Sequence, residues 1–419
     1  MRRDHFRILA VNLSTGKGKI ETLDGRTAAI GGSGLAALLF NRYGYVDKPW
    51  NDPEQPVIFA IGPLTGQFPL MSKSVCSFKS PYHDQYTESH GGGRSALSLF
   101  FANLDALVIT GRSERLCCLS ISSRSLEIKD VDFMRGMDVL ESGKLLRGMY
   151  KGSGHRSILR IGVAGENGSA ISCINVDTYR HFGRLGGGAA LGNKNLKAIV
   201  IQGDATFPQP EGKEYNKVFK EVYRQVTATD MMKKYHNLGT PANLQGLNDI
   251  SSLPWRNLQA TSDPAIDGIS GERLATDTLV RNSACSGCPV GCVHVGFVRE
   301  MFNANHRYTF KQVAYDYEPV FSLGTMLGIT DARSVLNLLH SMEKSGLDAM
   351  SAGVALAWAT EATEKEIISE KESEARLSFG DVKNYQVAAD LLAAGASEFY
   401  HLLGQGALKA AAEYGGADF

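Results

Sequence analysis

Gly203-Asp204-Ala205-Thr206-Phe207-Pro208-Gln209-Pro210-Glu211, followed by EYNKVFKEVYRQVTATDMMKKY (214–235), marks the point at which the chain changes character. Two prolines close an extended segment, and the polar run after them suits a helix. Before this junction the sequence reads mostly as sheet. ILAVNL (8–13) and GKIETLD (18–24) flank STGK as a hairpin, and PVIFAI (56–61), DALVITG (105–111), RLCCLSIS (115–122), SILRIGVAG (157–165) and NLKAIVIQG (195–203) are further strands. After the junction, residues 331–345, 349–365 and 385–414 place apolar residues at helical spacing, and 237–284 reads as an irregular connection. The expected class is α+β, with a sheet-rich domain over 1–206 and a mostly helical domain over 207–419.

The whole-chain balance narrows the function classes. A chain of 419 residues exceeds what one core organises, which agrees with two domains. Lys and Arg number 44 against 44 Asp and Glu, so the positive excess that non-specific nucleic-acid or anionic-membrane binders need is missing. MRRDHFRILAVNL lacks a secretory signal pattern, and no apolar run is long enough to span a bilayer; a cytoplasmic protein is expected. Seven cysteines, three of them clustered, fit a reducing compartment and a metal site better than a disulfide framework.

That cluster is Ala284-Cys285-Ser286-Gly287-Cys288-Pro289-Val290-Gly291-Cys292. A tight Cys-x2-Cys-x3-Cys loop can aim three soft thiolates at one centre, and Pro289 and Gly291 suit its turns. Iron–sulfur chemistry is one reading; zinc is the rival, because His294 would complete a Cys3His set. Two glycine-rich stretches, residues 88–94 and 180–192, pair backbone N–H groups with Arg94, Arg180 and Arg184, a combination that suits phosphate; sheet turns are the plainer alternative. Gly32-Ser33-Gly34-Leu35-Ala36-Ala37 imitates part of a dinucleotide fingerprint, but no strand precedes it and its acid, Asp52, sits among prolines, so helix packing is expected. In Val313-Ala314-Tyr315-Asp316-Tyr317-Glu318-Pro319 a carboxylate next to an apolar segment is either a structural partner or poised for proton transfer.

In order along the chain, GPLTG (62–66), FKSP (78–81), ESHGGGRS (88–95), IGVAGEN (161–167), YRHFGRLGGGAALGNKNLKAIVI (179–201), ACSGCPVGC (284–292), YDYEP (315–319) and EKSGLDAMSAGVALAW (343–358) resemble the aldehyde ferredoxin oxidoreductase family. The resemblance implies a tungsten- or molybdenum-bis(molybdopterin) site beside a [4Fe-4S] cluster, with Mg between the pterin phosphates. It implies Cys285, Cys288 and Cys292 as cluster ligands. It implies Lys73 between cluster and pterin, where several relatives carry Arg, and pterin contacts from His90, Gly92, Arg180, His181, Gly183 and Arg184. The family's Asp-x-x-Gly-Leu-Asp pterin motif corresponds to Glu343-Lys344-Ser345-Gly346-Leu347-Asp348, whose first acid is one methylene longer. Glu318 matches the catalytic glutamate. The implied reaction oxidises an aldehyde to a carboxylic acid and passes electrons to a ferredoxin-like acceptor. The family's fourth cluster cysteine belongs to a third, helical domain that starts about where residue 419 falls. The resemblance therefore implies a truncated chain that is incompetent alone, or one that works with a separate third-domain chain. Competing expectations are a non-catalytic cofactor-binding or assembly subunit and a zinc-stabilised protein without redox activity.

Overall fold

The central N-terminal strands, such as Val57–Ile61, carry apolar side chains on both faces, and both faces are buried. The computed structural model describes residues 4–152, 154–207, 210, 212–303 and 307–419; Pro208, Gln209 and Glu211 of the expected domain junction lie outside the described residues. One six-stranded sheet contains β1 (Phe6–Asn12), β2 (Lys17–Leu23), β3 (Val57–Ile61), β4 (Ser74–Lys79), β5 (Tyr86–Gly91) and β6 (Ala106–Thr110), in the order β2-β1-β6-β3-β4-β5. A second contains β7 (Cys117–Ile121), β8 (Leu126–Asp130), β9 (His155–Arg160), β10 (Ile174–Val176), β11 (Arg180–Phe182) and β12 (Leu196–Gly203), in the order β11-β10-β9-β12-β7-β8. Each sheet holds one parallel pair, β1 with β6 and β7 with β12.

The two sheets share one core. Leu9, Val11, Phe59, Ile61 and Phe78 from the first join Leu119, Ile121, Leu159, Ile199 and Ile201 from the second. The other faces are covered by helices. Ile8, Ile58, Ala60 and Val108 meet Leu35, Ala36 and Leu39 of the helix Ser33–Tyr43. Cys118, Ile158, Ala198 and Val200 meet Leu146 of the helix Val139–Met149. Burial on both faces explains why these strands read as continuous apolar runs.

Short polar strands escape that reading. In β5, Thr87, Ser89 and Gly91 are the inward residues while Tyr86 and His90 are exposed, so the period of two is carried by small polar groups held in the β4 ladder. The described residues also include an antiparallel sheet of β13 (Leu279–Ser283), β14 (Val293–Asn303) and β15 (Arg307–Tyr315) within the region expected to be helical or irregular.

Compactness divides the chain into Met1–Gln225 with Cys285–Pro289, and Val226–Ala284 with Val290–Phe419. The division therefore falls later than residue 206. Phe68 packs on Tyr215 and Phe219, and the Tyr215 hydroxyl donates to the Gln67 carbonyl, which holds most of the helix Lys213–Thr227 in the first unit. The second unit is mainly helical. Three of its longer helices start on side-chain caps: Asp331 accepts the Ser334 N–H, Asp348 the Met350 N–H and Asp381 the Asn384 N–H. The stretch 385–414, read as helical in spacing, holds three helices, Val382–Ala394, Glu398–Leu403 and Ala407–Tyr414. Gly395 (φ 57°) closes the first and Gly406 (φ 112°) precedes the third, conformations that a continuous helix cannot contain.

Behind the second sheet, Lys197 is fully buried and pairs with the nearly buried Glu166, while Lys197 Nζ also donates to the Met137 carbonyl at 2.8 Å. Burial pulls the Lys197 pKa down, and Glu166 opposes that fall only in part. Glu166→Leu strands a buried ammonium, so chemical denaturation should show a loss of about 3–5 kcal/mol. The double variant Glu166→Leu/Lys197→Met should regain most of it; a double variant as unstable as the single would refute the pairing.

Candidate functional site

The end of β5 is built without side chains because there is no space for them. A Cβ on Gly91 would lie 2.8 Å from the Phe182 ring, one on Gly92 2.6 Å from Cys285 Sγ, and one on Gly93 3.0 Å from Val176 Cγ1. Gly93 also has φ 92°, a backbone state costly for any other residue. The glycine turn thus sits directly on the turn between β10 and β11, with Arg180 Cδ 3.7 Å from the Gly92 position. Asp177 joins the two turns. Its carboxylate accepts the Arg94 N–H at 3.1 Å, the Ile158 N–H at 3.1 Å and the Ser157 hydroxyl at 3.2 Å. Burial raises the Asp177 pKa, and these hydrogen bonds with the Arg94 charge oppose the rise.

The cysteine loop reaches the same place. Ser286 N–H donates to the Gly93 carbonyl at 2.9 Å, and Leu70 N–H donates to the Gly287 carbonyl at 3.1 Å. Ser74 pairs with Gly91 in the β4–β5 register, so the next residue back, the exposed Lys73, leaves the sheet beside Gly92. Lys73, Gly92, Arg180 and Cys285 are therefore gathered at one corner of the first unit. His90, the residue before Gly91 on β5, is half-exposed and lies 3.2 Å from the Glu88 carboxylate, which also accepts the Ser33 and Tyr86 hydroxyls at 2.5 and 2.6 Å. Burial pushes Glu88 upward, but the bonds from Ser33 and Tyr86, with His90, hold it below the usual carboxylate range. Sequence reasoning missed Glu88 and Asp177 as the groups that hold these turns.

Past β11, the exposed Arg184 and the half-buried Gly183 lead into Leu185, whose carbonyl accepts the Ser80 hydroxyl at 2.8 Å. This contact joins FKSP to the second glycine-rich stretch. Burial first, then the charges of Arg180 and Arg160, drive the His181 pKa down to about 4, so its imidazole is neutral at pH 7. Gly32-Ser33-Gly34 has the packing role: it opens the helix Ser33–Tyr43, and Gly34 lies against the Ala29 carbonyl.

Cys285, Cys288 and Cys292 are partly exposed, whereas Cys76, Cys117, Cys118 and Cys173 are buried. Burial pushes Cys117 up to about 11 and Cys118 up to about 12, which keeps those thiols protonated. Gly287 (φ 78°) and Gly291 (φ 66°) supply the turns of the cysteine loop. Cys285 and Cys288 fall in the first unit and Cys292 in the second. Among the described residues no three His, Cys, Asp or Glu side chains are gathered as a metal-holding group. His294 is not aimed as a fourth ligand. Its Nδ1 lies 3.1 Å from the Cys292 carbonyl, and its Nε2 lies 3.1 and 3.2 Å from the His236 and Asn237 carbonyls.

In the second unit, Glu318 is exposed in the first turn of the helix Tyr317–Leu323. Glu343 and Leu347 are buried at the end of the helix Ala332–Ser345, where Gly346 (φ 75°) turns the chain. Asp348 is buried too, and it caps the helix Ala349–Glu364 through the Met350 and Ser351 N–H groups. That cap is a sufficient structural reason for an acid at 348.

Comparison with known proteins adds the following. The family model described as "Aldehyde ferredoxin oxidoreductase, N-terminal domain" matches residues 8–203, and "Aldehyde ferredoxin oxidoreductase, domains 2 & 3" matches 217–419. A tungsten-containing aldehyde ferredoxin oxidoreductase of Pyrococcus furiosus is 34% identical over 87% of this chain and 60% of its own length. Its counterpart in Pyrococcus horikoshii is 30% identical over 99% of this chain and 68% of its own. The chain thus spans about three fifths to two thirds of these relatives. Among solved structures, the active-site complex BamBC of benzoyl coenzyme A reductase, with 1,5-dienoyl-CoA, superposes with a TM-score of 0.85 at 21% identity. It covers 99% of this chain and 64% of that one, which establishes a shared fold. No helix among the described residues is long and apolar enough to cross a membrane.

His181 gives the first unit an acid limit. Its pKa is about 4 in the folded protein and 6.5 unperturbed, so between these values the unfolded chain binds a proton that the folded chain refuses. Stability is therefore full above about pH 6.5 and falls as pH drops towards 4, by on the order of 2–3 kcal/mol from this group. Denaturation midpoints measured from pH 7.5 to 4 should show the fall, and His181→Gln should flatten it. An unchanged slope in the variant would contradict the assignment.

Proposed function

Because the chain belongs to the aldehyde ferredoxin oxidoreductase family, we propose that it carries the pterin- and cluster-binding part of an oxidoreductase acting on an aldehyde. The observation that carries this proposal is the corner of the first unit where Gly92, Arg180, Lys73 and the Cys285 loop meet around backbone stripped of side chains. The donor chemistry fits both groups. Three partly exposed thiols in one glycine-hinged loop suit a [4Fe-4S] cluster, with Cys285, Cys288 and Cys292 as ligands and the fourth ligand outside this set. Glycine turns flanked by Lys73, Arg180 and Arg184 suit an anionic pterin. When bound, a tungsten- or molybdenum-bis(molybdopterin) supplies the two-electron change that converts an aldehyde and water into a carboxylic acid, and a cluster relays those electrons singly to a ferredoxin-like acceptor.

The chain's own residues do the rest. Lys73 brings a mobile positive charge to the glycine turn, and Arg184 offers a planar fork to phosphate, with or without Mg between phosphates. His181, neutral at pH 7, offers one donor and one acceptor without adding charge. His90, buttressed by Glu88, and the backbone at Gly92 and Gly183 complete the pterin contacts on this unit. On the second unit, Glu343, Leu347 and Asp348 form the second pterin motif, with Asp348 also capping its helix. Glu318, exposed in a helix's first turn, accepts the proton from the attacking water or the hydrated substrate. Zinc has less support, because both ring nitrogens of His294 lie against backbone carbonyls, which its N–H can serve.

Two measurements test this. In anaerobically prepared protein, Cys285→Ala, Cys288→Ala and Cys292→Ala should each lower bound iron and sulfide to below about half, while Cys173→Ala leaves them unchanged. A zinc-loaded, iron-free protein would reject the cluster. In protein with its full cofactor complement, Glu318→Gln should cut aldehyde turnover by about 10²-fold or more with pterin and metal content intact. Equal turnover, or lost cofactor, would remove Glu318 from the proton-transfer role.

A further inference from the structure

Of the three clustered cysteines, Cys292 alone falls in the second unit, and two strands of that unit bracket it. β13 leads into the cysteine loop and β14 leads out of it, and they pair at Ser283↔Val293 and Asn282↔His294. That pairing fixes the two ends of the loop. The Val290–Cys292 segment inside it needs a separate hold.

His236, near the end of the helix Asp230–Asn237, supplies one. Its Nδ1 lies 2.8 Å from the Val290 carbonyl. A carbonyl can only accept, so a ring proton sits on Nδ1 in this contact. The ring also lies on Gly291, where a Cβ would stand 3.0 Å from Nδ1 and 3.2 Å from Cε1. Gly291 has φ 66°, so glycine there serves both the turn and the approach of the imidazole. The main chain of the same histidine reaches both strands. Its carbonyl accepts the side-chain amide of Asn282, on β13, at 2.5 Å, and lies 3.1 Å from Nε2 of the buried His294, on β14. His294 Nδ1 is in turn 3.1 Å from the Cys292 carbonyl. Entry, middle and exit of the loop thus converge on one residue.

Given Cys292 as the metal ligand proposed above, we infer that His236 is a positioning residue for it. The imidazole, bonded to the Val290 carbonyl and seated on Gly291, holds the Val290–Cys292 backbone in the shape from which the Cys292 thiolate binds metal. Ordering this segment before metal arrives removes the entropy loss of ordering it on binding. His236 is itself exposed, so removing its ring acts on the loop and leaves the fold intact.

The test is anaerobic titration of the purified, reduced, metal-free chain with Co²⁺, following the thiolate-to-cobalt charge-transfer band. Cys292→Ala should weaken that band and Cys173→Ala should leave it unchanged. His236→Ala should weaken Co²⁺ binding by about tenfold, the loss of one hydrogen bond, with the melting temperature of the metal-free chain unchanged. His236→Asn, whose Nδ2 can stand where Nδ1 stands, should bind within about threefold of the unsubstituted chain. His236→Gln, whose donor is one bond farther out, should stay near His236→Ala. A residue that only supported the fold would lower the melting temperature and would not separate Asn from Gln. Unchanged Co²⁺ affinity in His236→Ala, equal affinities in the Asn and Gln variants, or a band indifferent to Cys292 would each overturn the inference. If His236→Ala fails to fold, the Asn–Gln pair decides. Reconstitution with ferrous iron and sulfide judges the cluster separately: a chain with the Cys292-dependent cobalt band that assembles no cluster rejects the iron–sulfur reading and leaves the His236 results standing.

Discussion

A methyl group on Gly92 would stand 2.6 Å from Cys285 Sγ, and much of the first unit is arranged around that lack of room. Because Gly91, Gly92 and Gly93 carry no side chains, β5 can close onto Phe182, the Arg180 turn can lie against it, and the cysteine loop can rest on the same backbone. Close approach of main chain leaves N–H groups and nearby cations as the chemistry on offer, which favours an anion over an apolar ligand. Asp177 fixes the arrangement by reaching Arg94 on one turn and β9 on the other side.

The two units solve different problems. In the first, strands buried on both faces form a four-layer stack whose ends, rather than faces, are free to carry chemistry. In the second, side-chain caps set where several helices begin, as Asp348 illustrates. An acid that accepts two backbone N–H groups is held in orientation as well as in place.

What could be read from sequence follows burial. Strands buried on both faces, such as β3 and β12, appear as apolar runs, and the sheet-then-helix order follows from them. Strands β4, β5, β10 and β11 were not legible, because each is short and mixes polar residues with its few core side chains, Phe78, Ile174, Val176 and Phe182 among them, so that only the ladder makes them strands. Strand β13 was hidden too, because its partner β14 lies across the cysteine loop. At the site, spacing and residue type brought the cysteine cluster and the glycine-rich stretches to notice, and Lys73 came from motif resemblance. It said nothing of Glu88 and Asp177, which act by holding other groups and have no spacing signature. Over 385–414 the alanine-rich helical spacing runs on through Gly395 and Gly406, where the backbone breaks into separate helices.

Five residues, Cys285–Pro289, count with the first unit although the chain on both sides of them counts with the second. Neither unit is therefore a continuous stretch of gene. During synthesis the first unit gains its last backbone partner for Gly93 only after residue 286 has left the ribosome, so its completion is coupled to the growth of the second. Recombination that exchanged residues 1–225 between relatives would import a glycine turn and keep the host's cysteine loop, making that seam the place where chimaeras succeed or fail.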